Sequence, residues 1–448
     1  MNLNPRFLSK AHPEAVVVVE RLVAAGHRTL WAGGCVRDLL LGRECKDIDI
    51  ATAASPDEVE ALFEHTHAIG KAFGVIQVMI NGISFDVASF REDRDYTDGR
   101  HPDVITPSTA ELDATRRDFT INGLFLDPCS GELLDVVDGR KDLEQKIVRA
   151  IGNPDLRFRE DHLRMLRAVR FASVYEFALE PKTRQALLEH AHRIKDISVE
   201  RIRTELVRMF TEAPRPGDAL TLLRDTGLLQ EILPEMMETI GCEQPPEYHP
   251  EGDVWTHTVM MLNELSSPSI ELAFAVLLHD IGKPQTRTVD TEGRIRFMGH
   301  AQVGASIADQ WLKTYKFPNA ERKTIVNLVN RHMDFINVPQ MRSATLKKIV
   351  ARPEFEDELE LHRIDCLCSN GIEGTVEKLR EVRADFEKEA ALPSPLITGK
   401  DLIAMGVPPG PEIGKWKDAA YEQQLEDSEL NKESLLRWVE VEREHPRP

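Results

Sequence analysis

The chain has 448 residues, 42% hydrophobic and 29% charged, which is ordinary for a folded protein with room for about two to four domains. A net charge of −19 argues against indiscriminate nucleic-acid binding, though not against a local basic surface, and no apolar run approaches the ~20 residues that span a bilayer. Six scattered cysteines, of which only Cys366 and Cys368 are close, make neither a disulfide framework nor a zinc knuckle, so a reduced, cytoplasmic protein is expected.

Residues 1–28 predict an amphipathic helix leading into a strand; the short apolar run at Ala15–Val19 is followed by charges and lacks the design of a signal peptide. The stretch from Leu30 to Thr52, LWAGGCVRDLLLGRECKDIDIAT, then concentrates three signals. An apolar run ends in Gly33 and Gly34, a short helix pattern carries Arg37 and Asp38 to Gly42, and Lys46–Ile50 alternates as a strand. Alternation puts Asp47 and Asp49 on one face and Ile48 and Ile50 in the core. Paired carboxylates beside a glycine turn that opens a helix suit Mg²⁺ and a phosphate chain. A half-buried strand after a solvated turn would account for Asp-x-Asp alone; the glycines and the arginine tip the balance.

Ser55-Pro56-Asp57-Glu58 starts a helix expected to reach about His65. Two strand patterns flank Asn81-Gly82, a strong hairpin signal, and leave Asp86 on the face opposite Ile83, Phe85 and Val87. Asp86 is thus a candidate third carboxylate, against an exposed strand acid at even weight. Residues 91–107 are charged, turn-rich and aperiodic, as in a loop. Arg116-Arg117-Asp118 precedes a packed run, fit either to clamp a triphosphate or to form a surface ion-pair cluster.

From about Leu143 the pattern is helical almost to the end. On one continuous helix over Phe158–Ala172, Asp161, Arg164 and Arg167 share an arc of surface, with Arg170 drifting off it. An aspartate and an arginine one turn apart offer an acceptor and a donor fork for base edges; an i,i+3 ion pair is the plainer alternative. Arg193, Lys195, Arg201, Arg203 and Arg208 follow as a candidate RNA-backbone track, and Ala213–Gly217 suggests a boundary. Beyond it, His257 and His279-Asp280, with His300, His332 and Asp365 as further candidates, arrive from several helix patterns and can build a metal site with an activated water. The glycine- and proline-rich stretch at 396–414 is most simply a rigid turn.

Together GGCVRDLLLG with KDIDI, RRDFTING, EDHLRMLRAVRF, the His/Asp set and the GPEIG segment resemble the class II tRNA nucleotidyltransferase and bacterial poly(A) polymerase family. Within it the likeness is to CCA-adding enzymes with a C-terminal HD domain, and it covers almost the whole chain. The resemblance implies an α+β, polymerase-β-like nucleotidyltransferase head (1–150), a helical neck (151–213), a helical HD body (214–390) and a helical tail (391–448). It implies CMP and AMP addition to tRNA 3′ ends from CTP and ATP, with A-only addition or poly(A) synthesis as the nearest rivals.

In that scheme Asp47, Asp49 and Asp86 are catalytic, the first two holding Mg²⁺. Gly34, Arg37, Arg116 and Arg117 serve the triphosphate. Asp161 and Arg164 select the base, with Arg167 and Arg170 nearby. The retained 91–107 loop fits enzymes able to add A. Gly123 stands where the family usually has alanine, with little consequence expected. His257, His279, Asp280 and Asp365 would hold a divalent transition metal. A second activity there, phosphohydrolysis of 2′,3′-cyclic or 3′-phosphorylated RNA ends, is the reading from another class.

Overall fold

Pro13 sets the first break in the chain. It cannot supply the N–H that would continue a helix, so the single helix expected over 1–28 is two, α1 (Pro5–Ala11) and α2 (Pro13–Ala24). The computed structural model describes residues 3–45, 47–94, 104–369, 374–388, 392–427 and 429–444. These fall into two units, Met1–Met237 and Glu238–Pro448.

In the first unit a seven-stranded mixed sheet carries the glycine turn and the carboxylates. Its strands are β1 (Thr29–Ala32), β2 (Ile50–Thr52), β3 (Thr66–Gly70), β4 (Val75–Ile80), β5 (Ile83–Ser89), β8 (Phe125–Leu126) and β9 (Leu133–Leu134), ordered β3-β4-β5-β2-β1-β8-β9. The outlying pair β6 (Arg91–Arg94) and β7 (Val104–Pro107) forms a separate antiparallel ribbon. Thus both ends of the segment expected to be a loop are strands, and residues 95–103 lie outside the described residues. The hairpin is as expected: Ile80 pairs with Ile83, and Asn81 and Gly82 both take positive φ (52° and 83°), as a two-residue turn with primed geometry requires.

Two element ends differ from expectation. α4 (Pro56–Leu62), started by the Ser55–Glu58 capping box, stops at Leu62 because the chain turns into the unforeseen edge strand β3. β2 begins at Ile50, so Asp47 and Asp49 lie in the extended approach to it, and Lys46 is outside the described residues. Alternation nevertheless holds, with Ile48 and Ile50 buried and Asp47 and Asp49 exposed. Leu30, Ala32, Ala51, Phe90, Ala110, Ala114 and Phe125 fill the core between the sheet and α5 (Ala110–Arg116).

The helical part of this unit begins with α6 (Gly139–Gln145). The expected continuous helix over 158–172 is broken: α7 (Pro154–Glu160) ends at Asp161, whose backbone is extended (φ −149°, ψ 106°), and α8 (Leu163–Tyr175) starts anew. α9 (Pro181–His190) and α10 (Val199–Glu212) follow, and the Pro/Gly turn at 213–217 leads into α11 (Pro216–Asp225) inside the same unit.

The second unit is helical, with one apolar cluster around Phe335, Val350 and Phe355 and another around Ile397, Leu402 and Leu435. Within 396–414, a Thr398–Asp401 capping box and Pro411 at a helix start make the stretch a structured turn.

Candidate active site and metal centre

Gly33 caps α3 (Gly34–Leu40) at φ 70°, and a Cβ there would stand 2.5 Å from Arg117 Nη1. Glycine is therefore required both by the backbone and by the close approach of a guanidinium. Arg37, three residues into α3, is buried; it donates to both oxygens of Asp38 at 3.0 Å and to Asn122 Oδ1 at 2.6 Å. Its guanidinium lies over the Tyr175 ring, 4.4 Å from the centroid, and Tyr175 in turn donates to Asp38 at 2.9 Å.

The carboxylates come together through sheet register. Parallel pairing sets Ile50 opposite Val87, so Asp49 and Asp86 are neighbours one step back along adjacent strands. Asp47, Asp49 and Asp86 line a recess of about 460 Å³ with Gln77, which donates to Asp86 at 3.3 Å. Burial raises the pKa of Asp49; the Arg117 charge opposes this, and the charges of Asp86 and Asp47 add to it. Crowded like charges of this kind are what a divalent cation relieves.

Asp113, which is buried, orients both arginines of the second motif. Arg116 donates to its Oδ1 at 2.6 and 2.8 Å, Arg117 to its Oδ2 at 3.2 Å. Asp118 is also buried and accepts from Arg167 Nε (2.8 Å), Asn122 Nδ2 (2.9 Å) and the Phe119 N–H (2.8 Å). Burial alone would lift its pKa, but the Arg167 charge and the Asn122 bond bring it down to about 2.

Helix geometry does not pair Asp161 with Arg164. Asp161, sitting at the break between α7 and α8, accepts from Arg201 on α10 at 2.8 Å and from the Leu163 N–H at 3.0 Å. Arg164 instead binds Glu160 at 2.5 Å and the Arg116 carbonyl at 3.3 Å. Arg170 is off the arc, as expected, and buried on Glu205 at 2.6 Å. Of the basic track, Arg193, Lys195 and Arg208 face Asp196, Glu231 and Glu212, as Arg201 faces Asp161.

Within this unit one cleft of about 810 Å³ gathers these groups. Gly33, Gly34, Arg37, Asp47 and Asp49 lie on its wall with Arg116 and Arg117; Asp161, Arg164, Arg167, Arg170 and Arg201 complete it. The Asp47 and Asp49 carboxylates, the arginines of both motifs and the Asp161 and Arg164 side chains thus line one cleft.

In the second unit five helical segments converge. His257 lies on the helix Val254–Asn263, His279 and Asp280 follow Ile270–Leu278, His300 opens His300–Thr314, His332 follows Asn319–Arg331, and Asp365 lies on Phe355–Cys368. Gly282 permits the convergence, because a Cβ there would run into the His300 carbonyl and the backbone of Gly304.

Nδ1 of His279, His300 and His332 lies 2.8, 2.8 and 2.7 Å from the carbonyls of Val276, Phe297 and Val329, so each donates there and keeps its Nε2 lone pair. Those Nε2 atoms face Asp280, at 3.1 Å from His279, 3.5 Å from His300 and 3.6 Å from His332. His300 and His332 hold their Nε2 atoms 3.1 Å apart. His257 Nε2 is 3.1 Å from Asp365 Oδ1.

Asp280 Oδ1, His279 Nε2 and both ring nitrogens of His257 are buried without an aligned hydrogen bond. Burial would lift the Asp280 carboxyl, but the charges of His279 and Lys283 hold it well below the usual carboxylate range. Burial pushes His332 down to about 3. Imidazoles of His300 and His332 pushed toward the neutral form by burial, beside an ionised carboxylate, fit a divalent cation.

Family models match both units. The poly A polymerase head domain covers residues 29–149, the probable RNA and SrmB-binding site of polymerase A covers 176–240, and the HD domain covers 252–365. The CCA-adding enzyme of Lactobacillus helveticus is 31% identical over 426 residues, 93% of this chain and 94% of that protein. The chain belongs to the CCA-adding enzyme family. The Bacillus subtilis CCA-adding enzyme is 30% identical over 412 residues, 91% of each chain. A crystal structure of the Bacillus stearothermophilus CCA-adding enzyme in complex with CTP superposes with a TM-score of 0.74 at 27% identity, covering 97% of this chain and 98% of that one.

The family's head, RNA-binding and HD modules are those anticipated from the motifs. Several residues carried no sequence signal. Asn122, Tyr175, Glu205 and Glu251 act through partners far away in sequence or through a turn invisible to periodicity, and Asp113, though one helical turn from its arginines, looks the same in sequence whether it faces water or a buried guanidinium.

Proposed function

We infer that this protein is a template-independent nucleotidyltransferase that adds CMP and AMP to the 3′ end of tRNA, using CTP and ATP and releasing pyrophosphate. The observation that carries this reading is the single cleft shared by Asp47 and Asp49, the arginines of both motifs, and the Asp161/Arg164 pair. Asp47 and Asp49 are the residues that would hold Mg²⁺, with Asp86 as third carboxylate. When bound, such ions lower the pKa of an RNA 3′-hydroxyl and neutralise the leaving pyrophosphate.

The chain's own groups do the rest. Gly34 leaves room for the triphosphate at the start of α3, where Arg37, Arg116 and Arg117 supply positive charge, each already fixed by Asp38 or Asp113. Asp161 accepts from the exocyclic amine that adenine and cytosine share, and Arg164 donates to the ring nitrogen beside it. Guanine and uracil present the opposite pattern and are refused. Arg167 and Arg170 stiffen this wall through Asp118 and Glu205. The reaction belongs to the cytoplasm, in keeping with the free cysteines. Among the described residues no helix is long and apolar enough to cross a membrane.

Transcripts ending at the discriminator base, at C and at CC, each offered CTP or ATP, test the reading. Ordered CMP, CMP and AMP incorporation is expected. Failure to add CMP to the shortest transcript would leave A-only addition or poly(A) synthesis in its place.

A second reading is supported by the orphaned nitrogens around Asp280. His257, His279, Asp280 and Asp365 would hold a divalent transition metal, which when bound supplies an activated water for hydrolysis of 2′,3′-cyclic or 3′-phosphorylated RNA ends. His279→Ala should remove metal-dependent phosphohydrolysis and spare nucleotidyl transfer. Absence of hydrolysis by the unmodified protein with any divalent metal would make the cluster structural.

A further inference from the structure

Four buried histidines surround the carboxylates of the second unit, and one is held differently from the rest. His279, His300 and His332 each turn Nδ1 to a backbone carbonyl. His257, fully buried, turns Nδ1 to a carboxylate, with Glu251 Oε1 at 2.7 Å. The same oxygen receives His249 Nδ1 at 2.8 Å, and the His249 and His257 rings meet edge to face with centroids 4.9 Å apart. Glu251 Oε2 is buried and has no hydrogen-bond partner, so both imidazoles approach the other oxygen, His249 in a hydrogen bond and His257 in a close contact without an aligned bond.

We propose that Glu251 is the positioning residue of the metal centre, fixing the tautomer and ring angle of His257 from behind, with His249 as its outer anchor. The inference rests on the metal-centre reading above. A carboxylate at Nδ1 keeps the proton on that nitrogen and directs the Nε2 lone pair to the side of Asp365, 3.1 Å away. Two ligand atoms each ~2.0–2.1 Å from a divalent ion stand about 3 Å apart, so His257 and Asp365 are already spaced to share one. A negative partner also makes the imidazole a stronger donor than a carbonyl partner does, and His257 is the ligand so equipped. Glu251 reaches the groups that face the centre through His257.

Metal-stripped full-length protein titrated with Co²⁺, followed by visible absorption and by competition with a chromogenic chelator, reads this directly. Glu251→Gln should weaken Co²⁺ binding about 10- to 100-fold and alter the Co²⁺ absorption envelope. Nucleotidyl transfer should be unchanged, and Glu251→Asp should restore part of the affinity. Affinity and spectrum within twofold of the unmodified protein would overturn the proposal. Should Glu251→Gln not fold, His249→Ala takes its place; it leaves the carboxylate but frees its outer side, and severalfold weaker binding supports the role while unchanged binding overturns it. If the unmodified protein takes up no Co²⁺, it is the metal-centre reading that fails, a result distinct from metal uptake that ignores Glu251.

Discussion

Arg201 Nη2 donates to Asp161 Oδ2 at 2.8 Å, joining the break between α7 and α8 to the face of α10. The carboxylate assigned to base reading is thus held by an arginine forty positions away, with its other oxygen on the Leu163 N–H. Asp161→Ala should relax nucleotide choice more than it slows chemistry. A bidentate base contact is worth about 1–3 kcal/mol of discrimination, roughly 10- to 100-fold against UTP and GTP. Arg201→Ala should lose a smaller part of that selectivity, since Asp161 stays but is no longer aimed. Single-turnover incorporation of the four nucleotides checks both, and unaltered discrimination in Asp161→Ala would remove the pair from nucleotide choice.

Asp49 is raised by burial and by Asp86 and Asp47 against the pull of Arg117. The crowding of like charges around it is what a bound cation would relieve. Asp49→Ala should therefore cut nucleotidyl transfer by about 10³-fold or more, several kcal/mol of lost charge stabilisation, with tRNA binding retained. Asp86→Asn should have a smaller effect. Extension of a transcript ending in CC with ATP and Mg²⁺ measures the first; filter binding without nucleotide measures the second.

The motifs were legible where chemistry and local geometry coincide. Gly33-Gly34, the Asn81-Gly82 hairpin and His279-Asp280 are written in adjacent residues and stand where expected, while the Asp47/Asp49 alternation holds in the extended approach to a strand that starts only at Ile50. The helix break at Asp161 was not legible, because the apolar pattern of 158–172 runs through it and the extended Asp161 backbone is what separates the two helices. The acids that set the arginines were hidden for another reason. Glu205 is buried against guanidinium groups from another helix, which no spacing encodes, whereas Asp113 pairs with Arg116 and Arg117 three and four residues on, where burial and not spacing was the hidden part.

Gly123 illustrates how a departure from a family pattern is absorbed. A Cβ there would lie 2.7 Å from Val137 Cγ2 and 3.2 Å from Ile151 Cδ1, so its neighbours have filled the space an alanine would need. Its φ is −88°, so the effect is packing and not backbone strain. Gly123→Ala should destabilise by about 1–3 kcal/mol through overpacking, with little change in KM for either nucleotide. Chemical denaturation alongside steady-state kinetics separates these outcomes, and an unchanged midpoint would show that Val137 can yield.

Asp118 sets a pH dependence whose direction follows from its partners. Its pKa in the folded chain is about 2, against about 3.9 in an unfolded one, because Arg167 and Asn122 favour the ionised form despite burial. A depressed carboxylate contributes stability that is fully present above the unfolded value and is lost as pH falls through the folded one. The window is therefore about pH 4 down to pH 2, and the contribution is about 2–3 kcal/mol. Asp118→Asn should lower stability by about that amount at pH 7. The gap between variant and unmodified protein should narrow steadily below pH 4 and close near pH 2. Urea unfolding at pH 7, 5, 4 and 3 follows that gap, and a difference independent of pH would mean that Asp118 acts by hydrogen bonding alone and not through its charge on Arg167.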